Sequence, residues 1–135
     1  MKAVTVWEPY ASAIAKGLKK YETRSWKTNY RGPIVIHASA RKMNNERVTL
    51  AENVGILKPK YSQVVAIADL TDCIQMTRDF ILKQNATEVS FGNWCVGKYA
   101  WKLENIKIIN SEDIIKGKQG MWNLKNFNFQ KVHNM

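Results

Sequence analysis

Gly17-Leu18-Lys19-Lys20-Tyr21-Glu22-Thr23-Arg24 sets one carboxylate among basic groups at the point where a helix gives way to a strand. The apolar positions before it, Ala11, Ile14, Ala15 and Leu18, recur at helical spacing, with Pro9 near the first turn and Gly17 as the stop. From Lys20 to Trp26 the chain reads as extended, so Glu22, Arg24 and Trp26 share one face while Tyr21, Thr23 and Ser25 share the other. A face of acid, guanidinium and indole is poor core material. Its aromatic area also exceeds what a wet surface needs, so a polar ligand with a flat ring is the expected partner.

Working outward, Lys2 to Trp7 reads as a strand that feeds the helix. Beyond the motif a loop carries Asn29 to Gly32. On the next strand Ile34, Ile36 and Ala38 alternate with Val35 and His37, and this strand is expected to pair with the motif strand. A second helix is predicted from about Asn44 to Val54, with Leu50, Ala51 and Val54 inward and Gly55 as terminator. Val64 to Ile74 reads as a central strand, apolar on both faces and then mixed through Asp69 and Asp72. A short helix from Thr77 through Gln84 precedes the glycine-punctuated loop Phe91 to Gly97. Tyr99, Trp101 and Leu103 then alternate on a strand that continues toward Ile109, and Met121 to Leu124 supplies a last short strand. About six strands and two to three helices without regular βαβ alternation predict an α+β fold, a small mixed β-barrel with helices packed on it. The 135 residues, 45% of them hydrophobic, suffice for one core. The domain is read over 1–125, with the asparagine-rich stretch 126–135 as a loose tail.

The net charge is +10, and between Lys16 and Arg31 six basic residues stand against Glu22 alone. Tyr61 to Gly97 is by contrast mildly acidic, so the charge is polarised along the chain. Such a field steers polyanions and releases their counterions on binding, which makes nucleic acid the leading partner. Cys73 and Cys95 fit no metal-ligand spacing and no disulfide framework, and they are expected as two buried free thiols. His37 and His133 are isolated, so neither metal nor cofactor is expected. Glu8 and Pro9 interrupt the first apolar stretch, and Val64-Val65-Ala66-Ile67-Ala68 is far too short to span a bilayer. A cytoplasmic protein that does not engage a membrane is the expectation.

Several segments together resemble the ASCH domain family, whose fold is like that of PUA RNA-binding domains. They are Trp7-Glu8-Pro9-Tyr10-Ala11, the Gly-x-Lys-x-x-Glu-x-Arg pattern at Gly17, Lys19, Glu22 and Arg24, and Tyr30-Arg31-Gly32 leading to Ile36-His37-Ala38. Phe91-Gly92-Asn93-Trp94 with Gly97-Lys98-Tyr99-Ala100-Trp101, and Gly117-Lys118-Gln119-Gly120-Met121-Trp122, complete the set in order along the chain. The resemblance implies a PUA-like barrel and a cleft between barrel and first helix that receives RNA or a nucleotide. Family members serve as RNA-binding modules, as ribonucleases and, in one branch, as amidohydrolases acting on an acylated cytidine. Fold alone does not choose among these.

Within that cleft Trp7, Tyr10, Lys19, Glu22, Arg24, Trp26, Arg31 and His37 are the candidate ligand-binding residues. Lys19 and Glu22 are the catalytic pair if the protein is an enzyme. Glu22, flanked by Lys19 and Arg24, has its charged form favoured, which suits a fixed acceptor for an exocyclic amino group; a structural ion pair pinning the helix-to-strand junction is the other role open to it. Lys19, past the helix end, either reaches the cleft to meet a phosphate or remains a solvated capping residue. Arg24 offers a fork for phosphate or clamps Glu22. Trp26 is the expected stacking platform, Trp7 is read as core, and Trp101 and Trp122 are assigned to packing. His37 is expected to make a polar contact beneath the site, and Arg31 either meets the ligand or makes a turn. The acylcytidine branch carries a threonine where this chain has Glu22, and Thr23 faces the other way, so this chain departs from that branch at the position of its threonine. Asp69 and Asp72 are candidates for a further acid, with a structural role at the strand end as the simpler reading. RNA or a modified nucleoside is the expected partner; a ribonuclease or nucleoside hydrolase of this fold, and a protein-docking module, are the alternatives.

Overall fold

In the computed structural model, residues 1–129 and the backbone of His133–Asn134 are described. The strands are β1 (Lys2–Val6), β2 (Tyr21–Arg24), β3 (Gly32–Ala38), β4 (Val64–Gln75), β5 (Tyr99–Asn110), β6 (Met121–Asn123) and β7 (His133–Asn134). The helices are α1 (Tyr10–Ala15), α2 (Asn45–Asn53), α3 (Arg78–Leu82) and α4 (Ala86–Ser90). The sheet runs β2-β5-β4-β3-β1-β6, and β7 adds to β5. Its one parallel pair along that path is β1 with β3, which makes it mixed. Bulges where β4 meets β3 and β5 increase the local twist of the two longest strands and curl the sheet into a half-barrel. This is the expected α+β, PUA-like architecture, with α4 as a further short helix between the one expected to end at Gln84 and the loop from Phe91.

The expected pairing of the motif strand with β3 is corrected. β3 has β1 on one edge and β4 on the other, so neither edge is left for β2. β2 pairs instead with β5, with Glu22 opposite Trp101 and Arg24 opposite Tyr99.

Period-two alternation divides the core. Val4, Val6, Ile34 and Ile36 point to the cluster under α1, whereas Ala3 and Val35 point to a second cluster with Ile109, Trp122 and Leu124 on the other side. Burial on both faces is why β1 and β3 read as almost continuous apolar runs. α1 is itself covered on two sides. Ala11 and Ile14 meet the sheet, while Ala13 packs with Ala51, Ile56 and Phe91. The small residues of α1 permit this close approach, and the carboxylate of Glu8 fixes its start by accepting from the Ser12 N–H at 2.8 Å and from the Lys60 N–H at 2.7 Å.

α2 begins at its expected cap, where the Asn44 side chain accepts from the Arg47 N–H. Thr77 caps α3 in the same way. Gly17 takes φ of +78°, the left-handed turn that ends α1 and releases the chain toward β2. The cysteine expectation is corrected: Cys95 is exposed and Cys73 only partly buried, because Cys95 lies in the loop before β5 rather than in the sheet. Phe127 and Phe129 pack against the second cluster, so the start of the stretch read as a loose tail is held on the core, while 130–132 and 135 lie outside the described residues.

Candidate nucleic-acid interface

The α1–β2 junction carries a buried ionic network. Lys19, 1% exposed, brings Nζ to 3.7 Å from Glu22 Oε1 and donates to the Phe91 carbonyl. Burial pushes its ammonium down from the usual lysine range, against the pull of Glu22 and then Glu88. Glu88, on α4, was not singled out in the sequence. Its carboxylate accepts from the Lys20 N–H at 2.7 Å and the Tyr21 N–H at 3.4 Å, and burial pushes its pKa up. The available signal was the Asn85-x-x-Glu88 spacing of a helix start, since Asn85 accepts from the Glu88 N–H.

Glu22 in turn fixes Arg24. Its Oε2 accepts from Arg24 Nε at 2.9 Å, with Nη2 also at 2.9 Å. Nη2 donates onward to the Thr5 carbonyl at 2.8 Å, so β2 is tied to β1 across the open edge of the barrel. Nη1 makes no hydrogen bond among the described residues. The side chain stays 21% exposed, presenting one free edge of a guanidinium that is otherwise held still.

Arg24 stands on the rim between two adjoining lobes of one groove. The inner lobe, about 490 Å³, is lined by Tyr10, Glu22, Thr23, Phe91, Gly92 and Asn93. The outer lobe, about 870 Å³, is lined by Trp26, Ser39, Ser62 and the segment from Ile114 to Gly120. Thr5, Trp7 and Arg24 belong to both. The face shared by Glu22, Arg24 and Trp26 does run along the groove, and Thr23 turns to the α4–β5 loop, accepting from the Asn93 N–H at 3.0 Å.

The candidate residues separate in three dimensions. Tyr10, Glu22, Arg24, Trp7 and Trp26 line the groove. Lys19 does not: it lies behind Glu22 with its side chain sealed, so the idea of a cation reaching the cleft or capping in solvent is corrected by its burial. Arg31 is also outside. It donates to the Thr28 and Tyr30 carbonyls and stands 3.8 Å from Asp72, so it stabilises the turn before β3. Asp69 accepts from Asn105 Nδ2 at 2.9 Å and Asp72 from its neighbour's N–H, so neither carboxylate lines the groove.

Trp7 is a second correction. It is 43% exposed rather than core, because the end of β1 carries it past the sheet to the groove, where Arg41 and Arg47 stand 4.4 and 4.9 Å from its ring centre. Trp26, 38% exposed, meets buried Trp101 edge-to-face at 4.8 Å, which braces the ring. Trp101 and Trp122 are core, as expected.

His37 sits under the groove floor. Nε2 donates to the Ile115 carbonyl at 2.8 Å, so Nδ1 accepts from the Thr5 hydroxyl at 3.1 Å, and that hydroxyl accepts from Trp122 Nε1 at 3.0 Å. Burial pushes the imidazole pKa down. Among the described residues no group of three or more His, Cys, Asp or Glu is placed to hold a metal, and no helix is long and apolar enough to cross a membrane.

The ASCH domain family matches residues 4–117. This chain belongs to the ASCH domain family. Over 81 residues the ASCH chain is 31% identical to human Activating signal cointegrator 1, an alignment covering 53% of this chain and 14% of that protein's length. In three dimensions it is similar to the ZmASCH protein of Zymomonas mobilis, solved as a mutant, with a TM-score of 0.59 and 15% identity over 93% of this chain and 90% of that one. At that identity the likeness establishes the ASCH fold. ASCH domains are generally RNA-associated.

Proposed function

We propose that this ASCH domain binds RNA or a nucleotide through the groove around Glu22 and Arg24. The observation that carries the reading is the Arg24 guanidinium, held by Glu22 and the Thr5 carbonyl with Nη1 free on the groove rim beside exposed Trp7. A preorganised cation next to an indole suits a phosphate attached to a base. Lys19 acts through Glu22 as a positioning residue. Glu22 is the fixed acceptor, and the exposed Asn93 amide at the inner lobe supplies both donor and acceptor to a base edge. The buried position of Lys19 favours this role over proton transfer to a ligand. The surplus of positive charge supplies the long-range attraction.

Fluorescence anisotropy with a labelled single-stranded RNA tests the reading. Affinity should fall with rising salt by about 0.7 log units per log unit of salt for each phosphate contacted. Arg24→Gln should weaken binding and lower that slope by about one contact, whereas Glu22→Gln should lose affinity with most of the slope retained. Wild-type binding that ignores salt, or an Arg24→Gln variant that binds as wild type, overturns it. Incubating the same RNA and an acylated cytidine in chelator-treated buffer, with product analysis, separates the binder from a hydrolase: turnover lost in Glu22→Gln would make the protein a catalyst.

A further inference from the structure

Each lobe of the groove has a volume in the range of about 300–1,000 Å³ typical of small-ligand sites, yet the two open into each other across Arg24. One such lobe is room enough for a single nucleoside. We propose that the groove holds two successive nucleotides of one strand, with the linking phosphate on Arg24 Nη1 and the next phosphate on Lys116 and Lys118. This rests on the nucleotide-binding reading above and extends it to a phosphodiester strand.

The outer lobe is a built wall. Ile115 is pinned on both sides, its N–H donating to the Ser62 carbonyl at 2.8 Å and its carbonyl accepting from His37 Nε2 at 2.8 Å. Gly117 lies flush on the same floor: a Cβ there would stand 2.6 Å from Thr5 Oγ1 and 3.0 Å from the His37 ring. With Ile115 and Gly117 so held, exposed Lys116 and Lys118 line the groove, and neither has an ion-pair partner among the described residues. Trp26 and exposed Ile114 provide apolar surface for a second base in the same lobe as the lysines. Alternating cation and flat apolar surface along one groove is the pattern a single strand requires.

The intact protein is titrated with the four nucleoside monophosphates, random ribo-oligomers of two and four residues, the matching deoxy tetramer and a poly-glutamate peptide. Affinity should rise about tenfold or more from one residue to two. The double variant Lys116→Gln, Lys118→Gln should lose about tenfold on the tetramer and lower its salt slope by about 0.7, the share of one phosphate, while monophosphate affinity is unchanged. Preference for ribo over deoxy, or parity between them, both uphold a strand and assign its sugar. Monophosphates that bind as tightly as the tetramer, with a neutral double variant, overturn the two-residue proposal and leave nucleotide binding intact. If no nucleic acid binds, or the peptide binds better, both readings fall.

Discussion

The inner and outer lobes of the groove share Thr5, Trp7 and Arg24 but are built by opposite means. The inner lobe is set by charges buried behind it: Lys19 between Glu22 and Glu88, and Glu22 holding Arg24. The outer lobe is set by neutral hydrogen bonds and close packing, with His37, Thr5 and Gly117 seating an irregular segment that carries solvated lysines. Buried charge costs desolvation and is useful only when every partner stays in place, so the inner lobe is rigid and intolerant of substitution. A wall of exposed lysines has no such constraint, which makes the outer lobe adaptable in what it contacts.

The sharpest way to break this contrast is Lys19→Met. Removing the ammonium leaves Glu22 to Arg24 alone and Glu88 to two backbone N–H groups in a buried setting, and should cost about 3–5 kcal/mol in urea unfolding. A loss below about 1 kcal/mol would mean that the inner lobe is not held by charge. Gly117→Ala comes next. Its Cβ cannot fit against Thr5 and His37, and the overpacking should cost about 1–3 kcal/mol and weaken oligonucleotide binding, while nucleoside monophosphate binding persists. Trp7→Ala should cost folding about 1–2 kcal/mol, through the lost contacts of Arg41 and Arg47 with the ring, and reduce RNA affinity by about 1–3 kcal/mol if the indole stacks on a base.

The smallest effect concerns pH. His37 is held below its ordinary value of 6.5, so below that pH the unfolded chain takes up a proton that the native imidazole refuses. Stability therefore falls as pH drops from about 6.5 toward the native pKa, with a slope of at most about 1.4 kcal/mol per pH unit. His37→Gln should flatten this limb in urea titrations between about pH 5 and 7. An unchanged slope in that variant would remove His37 as its source.

Much of this was legible because it is local. The stripe of α1, its stop at Gly17 and the shared face of Glu22 and Arg24 follow from helix and strand periods, and the structure keeps all three. Asn44 and Thr77 announce their helices because a capping side chain acts within three residues. Trp7 departs from the burial that its residue type favours, because the position of β1's end relative to the groove leaves it exposed. Arg31 shares the basic run of the motif yet falls outside the groove, since the loop after β2 carries it to β4. Lys116 and Lys118 lie in or beside a recognised motif, but nothing local shows that it crosses over His37.

Short-range periodicity and spacing in the sequence settled the order of elements and the polarity of the motif strand, and its motifs, matched over residues 4–117, carried the ASCH assignment. Tertiary structure decided which strand β2 joined, that Lys19 would be sealed behind Glu22, and that Glu88, Asn93 and Lys116 to Lys118 would gather on or behind one groove. The reason is that pairing and burial depend on which edges and faces remain available after the rest of the sheet has assembled, and no local pattern records that competition.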